Sequence, residues 1–451
     1  MSNNAEMNVS QNDSMVDALL QVSNLKYKMP ASLGIVSRRN HRQDFFQQSK
    51  YNAGETMVLD CQTGSDFVDT TNSWLVFKLS AVGASGDLAS GSCANVLNRI
   101  LIKTRTGKEW TRLENANLII KFLQVYDCEQ DWKNTLGRNQ GYGTDSTSAN
   151  EVPVQAGESG GGKVYVLPLW VIPCFNRKEL CPSQTMEGLR IELYTEQSNI
   201  ALGVPATDPP TPSPSSYVID NPRIQWDCYD LGDAYKRKIS EMASKQGLNL
   251  LHKEYFHTIV AAGSAGQKNF NFDVKKAATK ALKCHVITRA NESISNNNYD
   301  ALGSLRFDYQ RIQAHIGADY FPQVPITCDS PYDSNRNAEA YYFTMFGHGK
   351  TNQCWNPPSV TPGEFTSINS TIGTQPEYEN CMITFNLNKS NVSDLQGYIV
   401  NTSRALLVDM DVGEIAENFP DGNANVVRRL DVYLCHLRLL KQYISNAEVR
   451  D

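Results

Sequence analysis

Gly188-Leu-Arg-Ile-Glu-Leu-Tyr194 alternates strictly, with Leu189, Ile191 and Leu193 on one side and Arg190 and Glu192 on the other. Successive side chains of a strand point to opposite faces, so this stretch reads as a strand with one buried and one wet face. Working outward, the same kind of segment recurs at Glu55–Cys61, Ser73–Leu79, Asn98–Thr104, Lys163–Leu167 and Pro222–Tyr229. Turn signals rich in Asn, Ser, Thr, Gly and Pro separate these segments about every ten residues, which suits a sandwich of short strands. One helix interrupts the series at Asn117–Val125, where apolar residues recur at the i, i+3, i+4 spacing.

A second series follows in the same order. Strands are predicted at Glu254–Val260, Lys268–Val274, Ala281–Ile287, Leu305–Gln313, Met382–Leu387, Ala405–Met410 and Val426–Cys435, with a helix at Asn337–Phe346. Matching elements start at 163 and 382, 188 and 405, 222 and 426, offsets of 219, 217 and 204 residues. The ends of the two series also look alike, Ile224-Gln-Trp-Asp-Cys-Tyr229 beside Leu430-Asp-Val-Tyr-Leu-Cys435. A period near 200 residues is a duplicated domain, not a solenoid repeat. The expected fold is all-β: two tandem eight-stranded sandwiches with short helices in the connecting loops.

The expected boundaries are an N-terminal arm over 1–46, a first sandwich over 47–231, a linker helix over 232–248, a second sandwich over 249–445 and a tail over 446–451. The linker has good helix formers, Asp233 near its start and Gly247 at its end. The Pro-rich run 204–214 reads as a surface excursion. Loops 137–162 and 354–379 exceed the usual length and suggest interfaces or decorations.

Composition excludes several classes. The 451 residues carry 42 Lys+Arg and 48 Asp+Glu, a net charge of −6, whereas a protein that coats nucleic acid normally has a clear positive excess. The longest apolar stretch, around Leu167–Ile172, is far shorter than a membrane-spanning helix. The first residues lack the cationic start and apolar core of a signal peptide. Eleven cysteines, odd in number and without a CxxC pair, read as reduced thiols packed as small hydrophobes, in a chain made and assembled in a reducing cytoplasm.

Two such sandwiches in tandem, each with a helix between early and late strands, resemble the double jelly-roll major capsid proteins of tailless double-stranded DNA viruses. The segment Ile312-Gln-Ala-His-Ile-Gly-Ala-Asp-Tyr-Phe-Pro-Gln-Val-Pro-Ile326 is similar to a stretch in the second jelly roll of virophage and polinton-like members. The resemblance implies a homotrimer of pseudo-hexagonal outline, many of which tile an icosahedral virion shell. It also implies neighbouring trimers, penton proteins and minor capsid proteins as partners, and no enzymatic activity.

The basic run Arg38-Arg39-Asn40-His41-Arg42 could touch genome or an internal membrane; its blander reading is a solvated turn or an inter-subunit salt bridge. His252, His257, His285 and Cys284 could suggest zinc, but adjacent Cys284 and His285 point to opposite strand faces and cannot readily share one ion. Asp329 with Asp333, and Asp409 with Asp411, could be paired glycosidase carboxylates. Gly160–Gly162 precedes a strand where a phosphate loop would open a helix. Trp74, Trp170 and Trp226 read as core, and Trp355 and Tyr378 as loop aromatics. No residue is assigned a catalytic, cofactor-binding or metal role. The alternatives are a β-sandwich carbohydrate- or amide-hydrolysing enzyme and a receptor-binding viral spike.

Overall fold

A computed structural model of the chain describes residues from 35 to 450 with interruptions, the longer ones at 143–150, 153–161, 203–215, 291–301, 328–337, 367–379 and 413–427. Its first eight long strands are β1 (Ile35–Asp44), β2 (Thr56–Asp60), β3 (Phe67–Val82), β4 (Leu97–Lys103), β5 (Glu109–Leu113), β6 (Lys163–Pro168), β7 (Arg190–Thr195) and β8 (Ser216–Leu231). Helix α1 (Ala116–Asp127) lies between β5 and β6, and α2 (Asp233–Lys245) follows β8. The next eight are β9 (Leu248–Ala261), β10 (Asn269–Val274), β11 (Ala278–Ala290), β12 (Tyr309–Ile316), β13 (Asp319–Thr327), β14 (Met382–Asn386), β15 (Leu406–Val412) and β16 (Arg428–Gln442). Helix α3 (Ala338–His348) lies between β13 and β14, as α1 lies between β5 and β6.

The sheets establish the duplication. In the first half the orders are β1-β8-β3-β6 and β2-β7-β4-β5; in the second they are β9-β16-β11-β14 and β10-β15-β12-β13. Adding eight to each strand number turns the first pair of sheets into the second, and every pairing is antiparallel. Two four-stranded sheets that exchange successive strands in this order form a jelly roll. The expected fold of two tandem eight-stranded jelly rolls is therefore what the chain adopts. The alternation falls on β7 and the residue before it: Leu189, Ile191 and Leu193 are buried, and so is Glu192 on the face expected to be wet, where Lys103 and Arg190 pair with it.

Three segments differ from the sequence reading. The arm expected over 1–46 does not extend that far: residues 35–44 form β1, paired with β8 from Ile35–Leu231 to Asp44–Arg223. Its side chains are mostly exposed, so no apolar alternation betrays it; backbone pairing and ion pairs hold it instead. The tail expected over 446–451 also pairs, with Ala447–Arg450 alongside Gln442–Leu439 of β16. The stretch after Gly317, read as a Pro-x-x-Pro segment, is strand β13 at a sheet edge, where proline costs no ladder hydrogen bond. Gly317 opens the two-residue β12–β13 turn at φ +62°, a backbone region that favours glycine. Residues 1–34 and the Pro-rich run lie outside the described residues.

Candidate functional site

The densest chemistry in the molecule lies where the two halves meet. Helix α1 is amphipathic, with Asn117, Lys121 and Gln124 along one side, yet almost all of it is buried, including Lys121. Part of its cover comes from the second half. Lys121 Nζ donates to the Leu302 carbonyl at 2.8 Å, and Tyr126 Oη donates to the Asn380 carbonyl at 2.6 Å. Beyond the helix, Lys133 meets Glu364 at 2.6 Å with both side chains nearly buried.

The edge strand β5 lies against β9. Glu254 of β9 accepts from the Thr111 hydroxyl and from the Arg112 backbone N–H, the latter at 2.8 Å. Trp110 is fully buried, edge-on to Phe175 of its own half and to His252 of the other. Arg438 of β16 donates to the Trp110 carbonyl at 3.3 Å.

The same face of the second half carries a charged cluster. Asp431 of β16 is fully buried and receives Arg289 Nε at 2.7 Å, Arg429 Nη2 at 3.0 Å and His257 Nε2 at 2.9 Å. Two residues on, Tyr433 Oη donates to the Asn115 carbonyl at 3.1 Å, across the halves. Asn115, in the left-handed region at φ 44°, is the residue before α1. Burial would raise the Asp431 carboxyl, but Arg289 and the hydrogen bond from His257 outweigh it and hold it well below the carboxylate range. The cluster is a lock, with a buried anion compensated on all sides.

A third group has the look of a catalytic triad. His348 Nδ1 lies 2.8 Å from Asp127, and its Nε2 lies 3.0 Å from the Thr384 hydroxyl. The same hydroxyl is 2.9 Å from His285 Nδ1. A nucleophile needs an exposed oxygen and a site for the reacting carbonyl. Thr384 is fully buried and shared between two imidazoles, and the neighbouring recess of about 440 Å³ is lined by His348, Lys283 and Phe346 but not by Thr384. Asp127 and His348 join the halves, and the buried Thr384 hydroxyl has no route to a substrate.

Both imidazoles have values below the ordinary histidine range. For His285 burial is the main cause, with His348 and Lys283 adding to it. For His348 burial outweighs the opposing effect of Asp127. A lowered histidine value means the unfolded chain takes up the proton first, so stability is complete above about pH 6.5 and falls as pH drops below it. The melting temperature should be level from pH 8 to 7 and decline from pH 6.5 to 5. His285→Gln should make that decline shallower by up to about 1.4 kcal/mol per pH unit. An unchanged slope would remove His285 from the account.

The residues singled out in sequence find structural places. His252 and His257 meet the first half at Trp110 and Asn115, His285 is bonded to Thr384 within the second half, and the described residues contain no group of three or more side chains able to hold a metal. Burial pushes the Cys284 thiol up to about 12. Nine cysteines are described, none in a disulfide and eight of them buried. Asp409 and Asp411 are half-buried on β15, and Asp409 lies 3.6 Å from Arg311. Trp226 is in the core, while Trp74 and Trp170 are half-buried. Asp329, Asp333, Gly160, Gly161, Trp355 and Tyr378 lie outside the described residues. The basic run is not a free patch: Arg38 pairs with Asp227 at 2.8 Å, Arg39 with Asp66 at 2.6 Å and Arg42 with Asp44 at 2.8 Å. These pairs are within the chain, and the run lies on a strand and not in a turn. Among the described residues no helix is long and apolar enough to cross a membrane.

No protein-family model matches this chain, and no curated protein matches it in sequence. Its fold does have solved counterparts. The chain is similar to PBCV-1 VP54, fitted into a reconstruction of the virophage Sputnik, with TM-score 0.59 and 8% identity over 94% of this chain and 99% of that one. It is similar to a chain of the Sputnik virophage (TM-score 0.53, 10% identity, 95% of this chain and 91% of that one). The Faustovirus major capsid protein gives TM-score 0.53 and 10% identity over 94% of each chain. These likenesses establish the class of fold, a double jelly roll matched from end to end.

Proposed function

We propose that the protein is a major capsid protein that acts by assembly, forming homotrimers of pseudo-hexagonal outline that tile an icosahedral virion shell. The observation that carries this reading is the end-to-end match: both jelly rolls of this chain align with 99% of PBCV-1 VP54, so no further catalytic or receptor-binding domain accounts for the similarity. The internal chemistry supports it. Charged and aromatic groups such as Lys133 with Glu364 and Tyr433 with Asn115 join the halves into one body, whose apolar core runs continuously through both. A hydrolase acting through a hydroxyl would need an accessible nucleophile, and Thr384 is fully buried.

The shell would be made in the host cell and reside in the virion, with penton and minor capsid proteins completing it. Residues 1–34, beyond β1, are the segment available to reach minor proteins, genome or an internal membrane. Weak contacts between trimers, summed over many copies, allow errors to be corrected and still give a robust shell. Light scattering on a sizing column tests the reading: the expected mass is three times the 50.3 kDa chain. A strict monomer with glycan- or amide-cleaving activity would overturn it.

A further inference from the structure

The two halves do not fill all of the space between them. On α1, Ile120, Leu123, Gln124 and Asp127 recur at the i, i+3, i+4, i+7 spacing that puts them on one helix face. On β9, Leu251, Lys253 and Tyr255 alternate and so share one face of the strand. Both faces line a recess of about 320 Å³, which Trp170, Val171 and Pro173 from the turns after β6 also border. Trp170, read from the sequence as core, is half-buried here, and Leu251 is 40% exposed. A largely apolar pocket of this size between two domains is a common place for a small ligand.

This recess adjoins the one of about 440 Å³ beside His348. Lys253 lines both, and Asp127 of the first is bonded to His348 of the second at 2.8 Å. The second recess has the opposite chemistry. Lys253, Lys283, His348, Asn386 and Asn388 line it, and among the described residues no carboxylate does. Over the two recesses together, the described lining sets Lys253 and Lys283 against the single carboxylate of Asp127, a positive excess in a chain of net charge −6. The buried imidazoles register the same field. Besides burial, the largest cause, Lys283 and Lys350 lower His348, and Lys283 and Lys253 lower His285.

We propose that the two recesses form one binding site for a single-chain anionic amphiphile of the fatty-acid class, its apolar chain between α1 and β9 and its anionic head at Lys253 and Lys283. Removal of the chain from water drives binding. Charge-assisted hydrogen bonds from the lysines decide which end lies in which recess. Because the lining comes from both halves, the bound molecule ties α1 to β9 and stabilises the folded chain. The site is complete within one chain, so it stands independently of the capsid reading.

Isothermal titration of the full chain with dodecanoate, held below its micelle-forming concentration, tests the site. One dodecanoate should bind per chain, and the melting temperature should rise with its concentration. Acetate has the head without the chain, and dodecyltrimethylammonium has the chain with the opposite charge. Each should bind at least about tenfold more weakly than dodecanoate. Two variants locate the site. Leu251→Glu puts a carboxylate among the apolar lining, and Lys253→Gln/Lys283→Gln keeps most of each side chain and removes both charges. Each should weaken dodecanoate by about tenfold, and a ligand-free circular-dichroism melt shows that each is folded. Acetate binding as tightly as dodecanoate would leave a simple anion pocket, and dodecyltrimethylammonium binding as tightly would leave an apolar slot. Either result overturns the proposal, as does unchanged binding in both variants or no binding to the wild-type chain.

Discussion

Asp431→Ala is expected to lower stability by about 3–5 kcal/mol, the usual cost of removing one partner from a buried ionic cluster. The reason is what it leaves behind. Arg289 is nearly sealed, Arg429 is largely covered, and both now lack their anion, as does the His257 ring packed on Tyr433. The loss should appear as a lower melting temperature at pH 7 and as poor soluble yield. Replacing Asp431 by Asn should recover only part of the deficit, because it restores hydrogen bonding without the charge. The acid behaviour has its own sign. A carboxyl held low in the folded state contributes fully above about pH 4 and loses that contribution as pH falls further. The wild-type acid limb should therefore have a second, lower step that Asp431→Asn lacks. A variant as stable as wild type would mean the cluster does not lock the second half.

Trp110→Ala should cost about 3–5 kcal/mol, the range for removing a large aromatic from a core. This side chain is wedged between Phe175 and His252, so its loss opens the contact between jelly rolls and not merely one sandwich. Limited proteolysis should then cut between the halves, near α2, faster than in wild type. Trp226→Ala, deep in the first sandwich against Phe175, is the control. It should destabilise to a similar degree without preferential cutting at that junction. Equal cleavage in the two variants would contradict the assignment of Trp110 to the joint.

Much of the fold was legible because a strand with one wet face writes its geometry into alternate residues, as at Leu189, Ile191 and Leu193. The duplication was legible in the order of elements. What escaped were edge elements whose side chains do not need to be apolar. β1 is held by Arg38–Asp227 and Arg39–Asp66, and β13 contains two prolines that disguise it. β5 is only five residues long and went unread. The joint between halves was hidden for another reason. It brings Asn115 to Tyr433, 318 residues apart, and Tyr126 to Asn380, 254 apart. No local pattern encodes such contacts. One clue was present: Asp227-x-Tyr229 and Asp431-x-Tyr433 share the strand offset, and a charged residue repeated inside a near-core strand marks a special environment. The histidines were noticed as possible ligands, and their true partners, Trp110, Asp431 and Thr384, became visible only in three dimensions.

Electron-microscopic class averages of the purified chain test assembly most directly. Particles viewed down their axis should show six lobes of near-equal size in alternating pairs, two per chain, around one threefold centre. Isolated two-lobed particles at every concentration would contradict the account.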